Sequence, residues 1–326
     1  MLREDLHMLL DKMRGGLLGL AVGDALGVPV EFCERSRLKK DPVTDMRGWG
    51  THSQPPGTWS DDTGMTLAAL DSLTGGFDPE DMMRCFSRWR GGEYWPYGEV
   101  FDVGIATEQA ISRYRGGTPA LLCGGRGERD NGNGSLMRML PVACYLYLRQ
   151  GTPVFRGNSA QIVRQASAVT HAHPRSQIAC MIYVGGACAL LAGRSARSAA
   201  QEGVLDAVSA CLGTELEPEL EHYALLADMD AFCALPDAAI ASSGYVVHTL
   251  QAALYCLSNA RSFRDCVLAA VNLGEDTDTV AAVAGSLAGI AWGEGSIPAA
   301  WRMLLPRRGE MVRLLEIFYY SQITKK

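Results

Sequence analysis

Two short acidic runs carry the side chains of this chain that are best suited to chemistry. The first acidic run occupies residues 59–63 and reads WSDDT, and the second occupies residues 274–279 and reads GEDTDT. Each holds two aspartates beside hydroxyl-bearing residues, and such hard oxygen donors are the ligands that Mg²⁺ and Mn²⁺ prefer. If the fold brings the two runs together, the chain is a metal-dependent enzyme.

Helix capping is the simpler explanation for aspartates at these positions. Each run comes directly before an apolar pattern typical of a helix, and aspartate accepts the free N–H groups of a first helical turn. Capping accounts for one aspartate per helix, Asp62 and Asp278. Asp61 and Asp276 each add a second negative charge, and clustered carboxylates repel one another unless a cation offsets them. We therefore favour a metal site over capping alone.

The elements that must position these runs are helices. Apolar residues recur at three- and four-residue spacing along most of the chain, whereas period-two alternation is scarce. We predict helices near residues 6–26, 62–74, 79–90, 103–115, 136–149, 159–170, 175–193, 196–211, 244–258, 262–272, 278–292 and 309–321. Pro141 inside one of them predicts a kink. No linker divides the sequence, so we expect a single all-α domain over residues 1–326.

Two of the predicted helices carry small residues at every fourth position. The stripes are Gly15, Gly19, Gly23 and Gly27 in the first, and Ala281, Gly285, Gly289 and Gly293 in the second. Residues four apart share a helix face, and small side chains there let two backbones approach closely. Membrane helices use similar stripes, but Asp24 lies within the first one. We expect these two helices to pack tightly at the centre of a bundle.

Three further segments carry polar residues that could contact a substrate. Glu31 follows the first stripe and is a candidate acid or base, although a surface position is the simpler interpretation when it is taken alone. Residues 131–138 read NGNGSLMR, and glycines that lead into a helix can form an anion cradle, though such repeats are also ordinary turns. For His171 and His173, helix capping and substrate contact are equally acceptable explanations.

The composition indicates a globular protein with a large core. Hydrophobic residues make up 48% of the chain and charged residues 20%, and the ten cysteines are spread singly, which favours reduced thiols and a cytoplasmic location. A net charge of −6, with scattered basic residues, gives no footprint for nucleic acid. The apolar stretches 17–22 and 280–292 are shorter than the roughly 20 residues that span a bilayer, so we expect no membrane association.

Several enzyme classes are disfavoured by the motifs that the sequence lacks. The chain has no GxGxxG or GxxxxGK[ST] fingerprint, no HExxH and no GxSxG, which argues against nicotinamide, P-loop, zincin and esterase chemistry. An isoprenoid-synthase-like protein also uses Asp-rich Mg²⁺ motifs on helices. Those motifs place a third acid four residues after the first, where this chain has Met65.

Taken in order, these motifs resemble the ADP-ribosylglycohydrolase family. The resemblance spans nearly the full chain in six segments, which are residues 14–31, 59–66, 101–107, 131–138, 170–173 and 272–279. Six ordered motifs are far more specific than any one of them. The family implies a compact orthogonal multi-helix bundle with a dinuclear Mg²⁺ or Mn²⁺ centre in a cleft. It also implies that the substrate is an ADP-ribosylated protein or a small ADP-ribosyl conjugate.

The resemblance also implies a role for each matching residue. The implied metal ligands are Ser60, Asp61, Asp62, Asp276, Asp278 and Thr279. The implied substrate contacts are Asp102, Gly132, Asn133, Gly134, Ser135 and His171. Glu31, Asp61 or Asp62 would move protons during hydrolysis at the C1″ carbon of ADP-ribose. The sequence does not choose among these three carboxylates.

This chain departs from the family pattern at three positions. Ser60 stands for a common threonine and keeps the oxygen ligand, while Glu275 stands for a frequent glycine and adds a negative charge. Ile105 lies where one member has an asparagine, which casts doubt on arginine-linked ADP-ribose, although that linkage remains the favoured substrate. The alternative function is a non-catalytic relative, acting as a structural protein or as an immunity protein that neutralises a toxin. A monomer is the working expectation for the oligomeric state.

Overall fold

Helices make up the regular structure of the molecule. The computed structural model describes residues 3–152 and 154–324, and within those ranges it contains α-helices and 3₁₀ turns but no β-strand. The α-helices are α1 (Arg3–Gly27), α2 (Arg35–Leu38), α3 (Asp61–Gly75), α4 (Pro79–Arg90), α5 (Ile105–Arg115), α6 (Leu140–Gln150), α7 (Ser159–Ala168), α8 (Pro174–Leu191), α9 (Ala196–Cys211), α10 (Met229–Cys233), α11 (Val246–Asn259), α12 (Phe263–Asn272), α13 (Thr277–Trp292), α14 (Ala299–Leu304) and α15 (Arg308–Ile323). The all-α prediction is confirmed.

The predicted helices match the observed ones except at their ends and around Pro141. A 3₁₀ turn covers Leu136–Arg138, and α6 begins only at Leu140. Pro141 lies in the first turn of α6, where its missing N–H has no helical partner to lose, so it begins the helix and the predicted kink was wrong. Helices α2, α10 and α14 were not predicted, because segments of 4 to 6 residues are too short to show a helical period.

The two stripes of small residues form the closest helix contact in the centre of the fold. A Cβ atom at Gly19 would lie 2.3 Å from the carbonyl oxygen of Gly285. A Cβ atom at Gly23 would lie 2.0 Å from the carbonyl oxygen of Ala281. Real side chains do not approach so closely, so α1 and α13 can pack backbone against backbone only because these positions lack a Cβ atom. The predicted close packing of the two helices is observed.

Helix α13 is enclosed by other helices. Every residue from Thr277 to Ile290 is buried, and α1, α3, α8, α11 and α12 all pack against it. The buried apolar side chains of the described residues form one continuous cluster. The second acidic run therefore lies at the start of a helix that other helices surround.

One helical segment is long and apolar enough to cross a membrane by length and composition. It covers Leu6–Val30, but 94% of its most apolar window is buried inside the protein. The stretch 17–22 is only part of this segment, because glycines and alanines on both sides of it extend the apolar character of the helix. Such burial is typical of a core helix. Helix α13 packs against the apolar surface of α1 that a membrane-spanning helix would expose to lipid.

Substitution of Gly23 by alanine should destabilise the whole fold. The new Cβ atom would meet the backbone of α13, which cannot move aside without separating the two central helices. We expect Gly23→Ala to lower the free energy of unfolding by about 3 kcal/mol. Chemical denaturation followed by circular dichroism measures this loss.

Gly309→Ala is the matched control, because a Cβ atom at Gly309 in α15 would meet no atom within 4 Å. It should be neutral or stabilise the protein by about 0.5 kcal/mol through higher helix propensity. Equal stability of the two variants would contradict the close packing of α1 on α13.

Candidate metal centre and substrate cleft

The first acidic run is positioned by Asp24, a buried carboxylate on α1. Ser60 N donates to Asp24 Oδ1 at 2.8 Å, and Thr63 donates to Asp24 Oδ2 through N at 3.1 Å and through Oγ1 at 2.6 Å. Burial raises the pKa of Asp24 to about 7, and the donors of Ser60 and Thr63 partly offset this rise. Asp24 thus fixes the N-terminus of α3 against α1.

The second acidic run is positioned by the end of the glycine stripe. A Cβ atom at Gly27 would lie 2.3 Å from the Cα atom of Asp278, so the C-terminal end of α1 touches the first turn of α13. Thr277 Oγ1 donates to the carbonyl oxygen of Gly27 at 2.8 Å. The N–H of Asp276 donates to the carbonyl oxygen of Ser242 at 3.1 Å, which holds the start of the helix.

The fold brings the two acidic runs together. Thr279 Oγ1 donates to Asp62 Oδ2 at 3.2 Å, and Ser60 Oγ donates to the same oxygen at 3.3 Å. Ser60 and Asp62 belong to the first acidic run, and Thr279 belongs to the second. The carboxylate of Asp62 therefore links the two runs. The space between the runs is called the metal cleft below.

Capping does not account for the aspartates. The N-cap of α3 is Ser60, whose hydroxyl accepts from Asp62 N at 3.4 Å, and Asp62 itself lies inside the first turn. The N-cap of α13 is Asp276, which makes no side-chain capping bond. Asp278 Oδ1 does accept a hydrogen bond from Thr279 N at 2.8 Å, but Asp278 Oδ2 accepts none from the described residues.

Three carboxylate oxygens in the metal cleft have the character of metal ligands. Asp62 Oδ1, Asp276 Oδ1 and Asp278 Oδ2 are buried and have no hydrogen-bond partner among the described residues. Burial raises the pKa of Asp62 and Asp278 well above its usual value, and neighbouring carboxylates raise it further. Asp61 is affected in the same way. Oxygen donors that repel one another in a buried cleft fit divalent cations, which would offset the repulsion.

Glu31 lies at the edge of the metal cleft and is not a surface residue. It is 5% exposed, and its Oε2 atom contacts Nε2 of His52. One carboxylate oxygen each of Glu31, Asp276 and Asp278 lie within 4.8 Å of one another. Burial raises the pKa of Glu31 to about 7, although the hydrogen bond from His52 opposes this rise.

His52 was not among the predicted site residues. Its Nε2 atom lies 4.0 Å from Asp102 Oδ1, so it faces two carboxylates, and its ring packs 5.4 Å from the ring of Phe101. The contact with Glu31 raises the pKa of His52. The only sequence signal for this residue was its place in the long irregular stretch before the first acidic run, since loops of that length are often functional.

The glycine-rich loop 131–135 closes another side of the cleft. Asn133 Nδ2 donates to Asp276 Oδ2 and to Thr249 Oγ1, both at 2.9 Å, so the loop is tied to the second acidic run. A Cβ atom at Gly134 would lie 2.9 Å from Cε1 of His171, and Gly132 also lies against this ring. The missing side chains leave the loop backbone open beside the histidine.

The two histidines have different roles. His173 Nδ1 accepts from Arg175 N at 3.2 Å and caps α8, whereas His171 lies behind the glycine-rich loop. Burial lowers the pKa of His171 to about 3, so its ring is neutral, and its Nδ1 pairs with Thr170 Oγ1 at 2.9 Å. Ser135 is fully buried and accepts from Ser167 Oγ at 2.9 Å, so its hydroxyl supports the loop from inside.

Nearly the whole chain matches a known protein family. A family model described as ADP-ribosylglycohydrolase covers residues 5–325. The chain belongs to the ADP-ribosylglycohydrolase family. As a member it is a hydrolase that acts on ADP-ribosyl conjugates, and the resemblance drawn from the six sequence segments is confirmed.

Relatives of this ADP-ribosylglycohydrolase share most of its length. ADP-ribosylarginine hydrolase Tri1 of Serratia proteamaculans is 33% identical over 319 residues, which are 95% of this chain and 80% of that protein. The ADP-ribosyl-[dinitrogen reductase] glycohydrolase of Rhodospirillum rubrum is 31% identical over 309 residues, 92% of each chain. A solved structure described as an ADP-ribosylglycohydrolase-related protein complex matches with a TM-score of 0.77 and 33% identity, covering 97% of this chain and 99% of its own.

Without divalent metal, the buried carboxylates should lower the stability of the folded protein as they ionise. The pKa values of about 7 for Asp24 and Glu31 lie above the roughly 4 of the unfolded chain, so the folded state binds more protons. Its stability must therefore fall as pH rises from about 4 through about 7. We expect the Tm of chelator-treated protein to be lower at pH 8 than at pH 5 by about 5 °C or more.

Added Mg²⁺ should raise the Tm more at pH 8 than at pH 5, because ionised carboxylates bind the cation. The shape-matched double variant Asp62→Asn/Asp278→Asn should lose most of this response. A Tm that rises with pH in the chelated protein, or Mg²⁺ stabilisation that survives in the double variant, would contradict the electrostatic description. Differential scanning calorimetry provides both measurements.

Proposed function

We propose that this ADP-ribosylglycohydrolase is a metal-dependent hydrolase that removes ADP-ribose from a modified protein side chain, with arginine-linked ADP-ribose as the preferred substrate. The main support is the group of three unpartnered carboxylate oxygens, from Asp62, Asp276 and Asp278, at the meeting point of two helix N-termini. The names of two relatives, an ADP-ribosylarginine hydrolase and a glycohydrolase of ADP-ribosyl-dinitrogen reductase, support the substrate class.

The donor set fits two Mg²⁺ or Mn²⁺ ions. The residues that would hold them are Ser60, Asp61, Asp62, Asp276, Asp278 and Thr279. When bound, such ions supply positive charge that anchors ribose hydroxyls and favours the deprotonated form of a nearby water. Asn133 keeps Asp276 oriented through its 2.9 Å hydrogen bond, as partners of metal ligands generally do.

The reaction transfers ADP-ribose to water. A water oxygen bonds to C1″ while the C1″–N bond breaks, and the electron pair of that bond goes to the guanidine nitrogen, which takes up a proton. The products are ADP-ribose and the protein with its unmodified arginine side chain. The chain must therefore remove a proton from the water, provide one for the leaving group and hold the ribose in place.

Glu31 is best suited to move the proton. Its Oε2 atom contacts Nε2 of His52, a group that can pass a proton to or from it. Its carboxylate lies next to Asp276 and Asp278 and is held by His52. Asp61 and Asp62, the other two predicted proton carriers, belong to the proposed metal ligands. We therefore assign the proton transfer to Glu31.

Substrate binding would use the glycine-rich loop and Asp102, which lie next to the acidic runs. Gly132 and Gly134 keep side-chain atoms out of the space before His171, so the backbone of this loop can approach the diphosphate of ADP-ribose. Neutral His171 would offer a hydrogen bond without adding charge. Asp102 has a left-handed φ of 51°, and its Oδ1 atom lies 4.0 Å from Nε2 of His52. Such strained backbone at a non-glycine residue is common at active sites.

Asp278→Ala should abolish the activity without disturbing the fold. The change removes a carboxylate from the donor set and leaves the helix backbone in place. We expect Mg²⁺-dependent release of ADP-ribose from an ADP-ribosylarginine peptide to fall by about 100-fold or more. Chromatographic measurement of released ADP-ribose gives the rate, and far-UV circular dichroism monitors the helices.

Asp41→Ala is the control, because Asp41 is an exposed acid paired only with Arg47 at the surface, and it should retain wild-type turnover. Undiminished turnover by Asp278→Ala would overturn the metal assignment. Inactive wild-type protein that binds a toxin tightly, with or without Asp278, would instead support the non-catalytic alternative.

A further inference from the structure

A cavity lies beside the second acidic run and shares Asp276 with the metal cleft. Its volume is about 300 Å³, and it is lined by Phe32, Glu34, Ser243, Gly244, Glu275 and Asp276. We call it the Phe32 cavity. Because Asp276 also belongs to the second acidic run, and its Oδ1 atom is buried and unpartnered, a group in this cavity would lie directly beside the proposed metal centre.

The ring of Phe32 is largely exposed at the rim of this cavity, and its centroid lies 6.3 Å from that of the His52 ring. The residue is 68% exposed, and its backbone has a left-handed φ of 61°. Glu275 has a similar φ of 64°. The N–H of Phe32 donates to the carbonyl oxygen of Glu275 at 2.6 Å, so each strained residue holds the other. Strain at two non-glycine residues and an exposed aromatic face both cost free energy, which a ligand-binding role would justify.

The charge of the cavity is negative. Glu34 and Glu275 are exposed acids at its wall, and none of its lining residues is basic. Arg35 lines a neighbouring cavity that shares Ser243 and Glu275 with this one. Its guanidinium donates to the carbonyl oxygens of Leu273, Asp237 and Ile240 and does not line the Phe32 cavity. A diphosphate would be repelled here, whereas a cation would be attracted.

We propose that the Phe32 cavity receives the leaving group, and that it selects the cationic guanidinium of an ADP-ribosylated arginine. The planar guanidinium stacks on the ring of Phe32, while Glu275 and Glu34 face its charge. This inference rests on the proposed function and names the residues that decide its substrate preference. Ile105, at the start of α5, is 78% exposed and offers no polar side-chain atom, so recognition of the guanidinium does not depend on that position.

The test compares two conjugates that differ only in the leaving group. Wild-type protein, Phe32→Leu, Glu275→Gln and the double variant are assayed with Mg²⁺ on an ADP-ribosylarginine peptide and on the neutral ester 1″-O-acetyl-ADP-ribose. We expect KM for the arginine conjugate to rise about 3-fold in Glu275→Gln, about 5-fold in Phe32→Leu and about 10-fold in the double variant. KM for the ester and the Kd of free ADP-ribose, measured by calorimetry, should stay within about 2-fold.

Glu221→Gln is the charge control, because Glu221 has a side chain that is 80% exposed and pairs only with His222. It should change neither KM. Unchanged KM for the arginine conjugate in the double variant, or equal losses on both conjugates, would overturn the cavity as a guanidinium subsite while leaving the hydrolase intact. Wild-type protein that cleaves neither conjugate would overturn the proposed function itself, and cleavage of the ester alone would overturn the arginine preference together with the subsite.

Discussion

The backbone contact between α1 and α13 is the constraint on which the other features depend. The carbonyl oxygen of Ala281 occupies the place where a Cβ atom of Gly23 would be, and Asp278 lies against Gly27 one turn later. This contact fixes the separation and the register of the two helices. Because Asp24 follows Gly23 directly, the same contact also sets the position from which Asp24 holds the start of α3. The donor atoms of both acidic runs are therefore placed by helix packing and not by flexible loops.

A rigid frame of this kind explains how so many carboxylates can share one buried cleft. Burial raises the pKa of Asp61, Asp62 and Asp278, and each like-charged neighbour adds to the effect. A flexible loop would relieve the repulsion by moving its acids toward water, whereas helix termini locked against α1 cannot. The cleft thus concentrates carboxylates that hold protons in the absence of metal and whose ionised form a divalent cation would stabilise.

Much of the site could be predicted because its signals are local. The spacing of four between Gly15, Gly19 and Gly23 indicates a close helix contact whatever the partner is, and paired aspartates before a helix indicate a metal site. The order of the motifs along the chain then indicated the family, and with it the placement of Asn133 and His171 beside the cleft, whereas their roles in binding substrate stay predictions. These predictions concern residue types and short spacings, which a single sequence displays directly.

The remaining features depend on contacts between distant parts of the chain. Asp24 was visible only as an unusual acid in an apolar helix, since its partners Ser60 and Thr63 lie 36 and 39 residues away. His52 lies in an irregular stretch with no period, so nothing in its surroundings indicates that it meets Glu31. The left-handed backbone of Phe32 is also invisible in sequence, because it depends on pairing with Glu275 across the fold.

The distance along the chain between α1 and α13 has a consequence for how the protein is made. The hydrogen bond from Thr277 to Gly27 spans 250 residues, so the glycine face of α1 leaves the ribosome long before its partner exists. Until then this apolar helix has the length and composition of a membrane span. Helix α13 can cover α1 only after it has itself been made, and an apolar surface that is exposed until then favours aggregation. The metal cleft is completed only after residues 274–279 have been made, so a chain that stops before them lacks half of the proposed donor set.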